Sequence, residues 1–345
     1  MELFKIEKNV EINNKFYDSI TFLGIKIKKC NKLLTLEQRF KTSLTQNSNR
    51  LKKYYNDKLN LLKEEVAYFQ KMQYEIDKFK TLGIEENSQR SPRIIVSLTS
   101  YPKRMYGIHY VIYSLLTQTL KPDMVILWLS ETEFPNKEAD LGQNVLSLVK
   151  NGLTIMWTKD NTKSYKKLTP SLETFPNDII ITVDDDIICE SSLVEKLYQE
   201  YLQNPNLIHT ARAHKVTFNQ KHELLPYSNW NWNIKNTNVS FSNFLTGGAG
   251  TLYPPNSLYK DITNNNLYTL LAPNADDIWF WAMAVLNNTK INVVYNEYKY
   301  PKVMGSQEEC LCNSNVIENQ NDVQLSNVLN HYPQILETLL KEHKE

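Results

Sequence analysis

Four shortages bound this sequence. Glycine occurs nine times in 345 residues, about a third of its usual ~7% share, so any cluster of glycines is informative. Cysteine occurs four times, as Cys30, Cys189, Cys310 and Cys312, too few and too scattered for a disulfide framework. Cys310-x-Cys312 has no second Cys or His pair nearby, which argues against structural zinc. An excess of one charge is missing too: 39 Lys+Arg against 38 Asp+Glu leave +1, so nucleic acid is not an expected partner. No apolar run approaches the ~18 residues of a membrane span, and the N-terminus has neither an h-region nor a small-residue cleavage site. A reducing, cytoplasmic setting is expected. What is present, 41% hydrophobic and 22% charged residues, suits a folded chain with room for roughly two domains of ~150 residues.

Proline and tryptophan mark a boundary. All thirteen prolines and all six tryptophans lie at or beyond Pro92. The first 91 residues hold 18 Lys+Arg against 12 Asp+Glu, a net +6, and the remainder nets −5. A basic arm over 1–90 therefore precedes a mildly acidic body over 91–345, with the break near Gly83–Pro92. In the arm, Leu51, Tyr55, Leu59, Leu62, Val66, Phe69, Met72 and Ile76 recur every three or four residues, which predicts a helix with one apolar stripe. That stripe serves a coiled coil, and so a homo-oligomer, or packing on the body; the pattern does not choose. Thr21–Lys58 carries ten Lys+Arg and only Glu37 and Asp57 as acids, which suits either a solvated helix face or a peripheral attachment to an anionic membrane surface on the cytoplasmic side.

The body alternates strands and helices. Strands are expected at Ile94–Thr99, Met124–Leu129, Leu153–Trp157 and Ile179–Val183, and helices at Ile108–Leu116, Glu138–Lys150 and Leu193–Leu202. This rhythm predicts an α/β fold with a mainly parallel sheet flanked by helices. Ligands of such sheets bind beyond the carboxyl ends of the strands, here after Thr99, Trp157 and Val183.

Three motifs stand out, the first of them directly after Val183. Ile179–Val183 runs into Asp184-Asp185-Asp186. Three carboxylates at the end of a buried strand repel one another, and a divalent cation between Asp184 and Asp186 would relieve that, since alternate residues of an extended chain share a face. The plainer reading is one Asp capping the next helix. Thr246-Gly247-Gly248-Ala249-Gly250 puts three of the nine glycines within four residues, allowing close backbone approach to a ligand or a tight turn; it matches neither the dinucleotide nor the P-loop spacing. Asn274-Ala275-Asp276-Asp277 opens an apolar helical run, where acidic residues complement the helix dipole or supply a general base. Ser97–Arg104 follows the first strand, Ser164–Leu168 brings Lys166 and Lys167 after the third, and Arg212 and His214 would share a strand face.

Taken in order, Ser97–Arg104, Ser164–Leu168, Val183–Ile187, Arg212–His214, Thr246–Gly250 and Asp276–Met283 resemble the GT-A glycosyltransferases of bacterial capsule and lipopolysaccharide synthesis. The resemblance covers roughly residues 92 to 310. It implies a GT-A-like, Rossmann-like fold, a nucleotide-sugar donor, a glycan or lipid-linked glycan acceptor, and Mn²⁺ or Mg²⁺. By that resemblance Asp186 and Asp184 would hold the metal, with Asp184 facing the ribose or the ion and Asp185 less defined. Lys166 or Lys167 would offset the leaving diphosphate, and Thr99, Ser100 and Tyr101 would hold the base. Gly247 and Gly248 would lie against donor sugar and acceptor. Asp277, with Asp276 as the alternative, would take the acceptor proton in an inverting displacement.

Three other classes share parts of this pattern. A haloacid-dehalogenase-type phosphatase also ends a strand in Asp-x-Asp, but early in its domain. A sugar nucleotidyltransferase needs a glycine-rich loop that Thr99–Lys103 lacks. A calcium-dependent carbohydrate-binding protein would use Tyr227, Trp230 and Trp232 as a sugar platform without turnover.

Overall fold

A computed structural model describes residues 4–12, 15–22, 25–27, 49–235, 238–294, 299–306 and 319–344. The chain divides into two compact units, Met1–Tyr74 and Glu75–Glu345. The first contains three antiparallel strands, β1 (Phe4–Ile12), β2 (Lys15–Phe22) and β3 (Ile25–Ile27), paired in that order. Helix α1 (Asn49–Lys78) follows and matches the predicted stripe. The strands were not anticipated, although their alternation is legible in retrospect: Phe4 and Ile6 oppose Phe22 and Ile20 in register, as a period of two requires. Most of Thr21–Lys58, together with Cys30, Cys310 and Cys312, lies outside the described residues. No helix among the described residues is long and apolar enough to cross a membrane.

The second unit runs β4 (Ile94–Thr99), α2 (Ile108–Leu116), β5 (Met124–Ser130), α3 (Gln143–Leu146), β6 (Leu153–Thr158), α4 (Thr169–Thr174), β7 (Ile179–Thr182) and α5 (Leu193–Gln203). It continues with β8 (Ile208–Thr210), β9 (Ala213–Lys215), β10 (Asn243–Leu245), β11 (Thr251–Tyr253), α6 (Asn265–Leu271), α7 (Asp276–Leu286), β12 (Ile291–Val293), α8 (Gln320–His331) and α9 (Gln334–Lys344). Seven strands form one mainly parallel sheet in the order β12-β8-β11-β7-β4-β5-β6, and β9 pairs with β10 apart from it. β4 and β7 lie at the centre because Ile94, Ile95, Val96, Ile179, Ile180 and Ile181 are apolar on both faces and fully buried, the pattern of a strand covered on each side. Within this seven-stranded sheet, among the described residues, only β11 runs against its neighbours.

The predicted helix over 138–150 is broken. Tight 3₁₀ turns occupy Lys137–Asp140 and Val149–Asn151, and only α3 is α-helical between them. Gly142 precedes α3, and Gly152, at φ +109°, ends the segment in a conformation that L-residues avoid. The compositional break near Gly83–Pro92 falls inside the second unit: the Gly83 N–H donates to the Asn151 carbonyl and the Glu85 N–H to that of Pro122.

The strand polarities bring the motifs together. β4 and β7 are parallel neighbours, so the residues after Thr99 and Thr182 emerge at one edge. β11 is antiparallel to β7, with Thr251 opposite Thr182; its beginning, and the glycine loop before it, therefore reach the same edge. Helix α7 is apolar almost all round, with Trp279, Phe280 and Trp281 fully buried. The indole N–H groups of Trp279 and Trp281 donate to the Ile262 and Phe241 carbonyls, which satisfies them within the core and fixes the helix that begins with Asp276 and Asp277.

Candidate active site

The three aspartates after β7 take different partners. Regular strand ends at Thr182, and Asp185 and Asp186 lie in a turn, so strand alternation does not by itself set the relative directions of Asp184 and Asp186. The Lys167 Nζ lies 2.7 Å from Asp184 Oδ1. Arg104 takes the other two: its guanidinium lies 2.6 Å from Asp185 Oδ1 and 3.1 Å from Asp186 Oδ2. The Ser100 hydroxyl donates to Asp185 Oδ2 at 2.5 Å. Residues 301–306 secure the turn, with the Val303 N–H donating to the Asp186 carbonyl and Arg104 to that of Ser306. The repulsion that suggested a bound cation is thus partly offset by side chains of the protein.

The glycine loop packs on this group. The Asp184 N–H donates to the Gly248 carbonyl, and a Cβ on Gly248 would overlap the Asp184 carboxylate. The Gly247 N–H donates to Asp277 Oδ1 at 2.9 Å. Lys167 is buried and reaches Asp276 Oδ2 at 2.8 Å as well as Asp184; Asp276 Oδ1 accepts from the Ser164 hydroxyl at 2.8 Å. Arg212 donates from Nε to the Thr246 hydroxyl oxygen at 2.7 Å. Residues from 100–104, 164–167, 184–186, 212, 246–248 and 276–277 meet here.

The electrostatics separate the carboxylates. Desolvation by the surrounding protein, and then the charge of Asp276, push Asp277 up to about 7 against the opposing pull of Lys167. Burial raises Asp185 to about 6, because Arg104 and the Ser100 hydroxyl compensate only in part. Burial acts on Asp184 in the same direction, but Lys167, with Arg212 and Arg104 beyond it, holds that carboxyl below its ordinary value. For Lys167 burial would favour the neutral amine, yet Asp184, Asp276 and Asp277 together hold it well above the usual range as a cation.

No protein-family model and no curated sequence matches the chain. Among solved structures it is similar to crystal structures of S. aureus TarS 1-349, at 16% identity and TM-score 0.45, covering 73% of this chain and 71% of that one. The same protein in complex with UDP aligns at 16% identity and TM-score 0.46 over 73% and 71% of the two chains. Its complex with UDP-GlcNAc aligns at 18% and 0.46 over 73% and 72%.

Of the residues singled out from sequence, Asp184, Asp185, Asp186, Lys167, Gly247, Gly248, Asp276, Asp277 and Ser100 converge. Lys166 does not. It is buried beside Lys167 but turned to Asn161 Oδ1 (2.7 Å) and Glu133 Oε2 (3.3 Å), because successive residues of its 3₁₀ turn point different ways. The Thr99 hydroxyl donates to the Trp128 carbonyl and so braces the sheet. Tyr101 precedes the turn that carries Arg104, and its ring lies 5.8 Å from that guanidinium. His214 lies among aromatic rings and accepts from the Asn233 N–H. Arg104 and Ser164 are the partners that sequence reasoning left without a role; an arginine shortly after the first parallel strand was the available signal for the first. Among the described residues no three His, Cys, Asp or Glu side chains are grouped as a metal site. Asp184 and Asp186 do supply carboxylate oxygen, the ligand type of Mg²⁺ and Mn²⁺, and Mg²⁺ is usually held by one or two carboxylates completed by substrate phosphates.

Proposed function

We propose that the chain is a nucleotide-sugar-dependent glycosyltransferase that passes a sugar from a nucleoside-diphosphate donor to a hydroxyl of a glycan or lipid-linked glycan. The observation that carries this reading is Asp277, a partly exposed carboxylate held by the Gly247 N–H and raised to about 7. Beside it, a buried lysine bridges the neighbouring Asp276 to Asp184. A general base works best with a pKa near the operating pH.

In the proposed step the acceptor oxygen bonds to the anomeric carbon while the bond from that carbon to the diphosphate breaks. Asp277 receives the hydroxyl proton, and the diphosphate leaves with the bonding pair. Lys167 and Arg104 supply positive charge toward the departing group. Asp276 and Ser164 keep Lys167 oriented. A Mn²⁺ or Mg²⁺ ion held by Asp184 and Asp186 would neutralise the leaving diphosphate when bound. Of the residues assigned to the base, the Ser100 hydroxyl is engaged by Asp185, which leaves Tyr101 as the candidate ring.

The test is a panel of UDP-, GDP- and dTDP-sugars, UDP-GlcNAc included, scored for nucleoside diphosphate release by the wild type and by Asp277→Asn. Release from one donor by the wild type is expected. Phosphate released from a simple phosphomonoester instead would favour the phosphatase reading, and sugar binding without donor turnover would favour the carbohydrate-binding one.

A further inference from the structure

Trp232 differs from the other tryptophans near the site. Trp230, Trp279 and Trp281 are buried, whereas Trp232 is 43% exposed. A single exposed aromatic is ordinary on a protein surface; this one is held in place from below. Its ring lies over the His214 imidazole, with centroids 4.7 Å apart and planes 28° from parallel. Beneath, His214 lies opposite Phe244 in the β9–β10 pairing, and the two rings are 16° from parallel. The Asn233 N–H donates to His214 Nδ1 at 3.0 Å, and Asn233 itself is at φ +51°, a left-handed turn that asparagine tolerates. Tryptophan, turn and imidazole are therefore locked to one another.

The platform adjoins the chemistry through two routes. Tyr227 meets the Trp232 ring edge-on at 5.4 Å, and the charge of Asp277 acts on its hydroxyl. Arg212, two residues before His214, is bonded to Thr246 next to the Gly247 that holds Asp277. Burial and the nearby Arg212 push His214 down to about 4, so the surface under the indole is uncharged at neutral pH. Tyr227 is anchored from behind, its N–H donating to Asp322 Oδ1 at 2.8 Å.

We propose that Trp232 is the stacking face of an acceptor subsite for a neutral hexose or N-acetylhexosamine ring. A pyranose has an apolar face of C–H groups that matches a flat indole, and its hydroxyl edge would meet the Arg212 and Asp277 side. A rigid platform suits this because little ordering remains to be done on binding. The inference rests on the proposed transferase reading for its meaning, but its test does not need a donor.

Methyl glycosides of glucose, galactose, mannose and N-acetylglucosamine are the probes, each mixed with the full chain and read by saturation-transfer NMR. Saturation is expected for at least one glycoside, strongest on ring C–H protons. Trp232→Ala should weaken it about tenfold and Trp232→Phe by no more than about threefold, since phenylalanine keeps a ring face. Nucleoside diphosphate affinity, read by calorimetry without a donor, should stay within about twofold of wild type in both variants. No saturation of any glycoside, equal saturation of Trp232→Ala and wild type, or loss in Trp232→Ala of nucleoside diphosphate binding would each overturn the subsite. Glycoside binding that depends on Trp232 in a protein that turns over no donor would leave the subsite standing and remove the transferase reading.

Discussion

Gly248 and Asp184, 64 positions apart in the sequence, occupy one another's space: a single methyl group on the glycine would overlap the carboxylate. Gly248→Ala should therefore turn Asp184 away from Lys167. We expect donor affinity to fall at least about tenfold while the melting temperature moves by only a few degrees, since the overlapped group is a side-chain end that can rotate. Gly247→Ala is expected to be milder, because its methyl group would stand 3.2 Å from Asp277 Oδ1. Calorimetric titration with the donor, beside a thermal melt, separates the two effects. Equal donor affinity for Gly248→Ala and wild type would count against this account of the loop.

Asp277→Asn keeps an oxygen for the Gly247 N–H but cannot take a proton. Transfer should drop by about 10²-fold or more, with donor affinity nearly unchanged, and Asp276→Asn serves as the comparison. Collapse of donor affinity in Asp277→Asn would move the residue into the donor site.

The same carboxyl makes a pH prediction with a definite sign. Its folded value of about 7 lies above the ~4 of an unfolded aspartate, so the native state binds the extra proton between those values and loses stability as pH rises through them. Asp277→Asn should therefore gain on the wild type across pH 4 to 7 and hold that advantage above pH 7, by roughly 2–4 °C of melting temperature per kcal/mol recovered. Wild-type turnover should rise over the limb near pH 7 as the base ionises. Paired melts at several pH values, with a turnover profile, test both.

Lys167 is the only cation that the structure pairs with both Asp184 and Asp276 among the described residues. Lys167→Met should destabilise the fold by about 3–5 kcal/mol, the cost of leaving buried charge uncompensated. In whatever fraction folds, it should raise the pH at which turnover sets in, because Asp277 loses its compensating charge. Urea unfolding gives the first number and the pH–rate profile the second.

Metal dependence can be tested directly. Chelation should lower turnover about 10²-fold, with recovery on adding Mn²⁺ or Mg²⁺. Asp186→Ala and Asp184→Ala should not recover. Full activity in chelator would mean that Lys167 and Arg104 handle the leaving group alone.

Much of the fold was legible because its signals are local. The all-apolar runs Ile94–Thr99 and Ile179–Thr182 announce buried parallel strands, and the spacing of Leu51–Ile76 announces a helix. Asp184–Asp186, the glycine cluster and Asp276–Asp277 stood out because carboxylates at a strand end and clustered glycines conflict with plain structural roles. The strands of the first 27 residues leave only a weak two-residue alternation in the sequence, and Gly142 interrupts the helical spacing over 138–150.

What the sequence by itself determined is which elements form and which residues carry chemistry, since both follow from short-range periodicity and residue type. Only the tertiary structure decided the partners. The reversed direction of β11 set the glycine loop on Asp184, the end of regular strand at Thr182 gave Asp185 and Asp186 to Arg104, and a single 3₁₀ turn sent Lys167 into the site and Lys166 out of it. Those outcomes depend on chain direction and on side-chain angles about local turns, and contacts between segments tens of residues apart leave no periodic trace in one sequence.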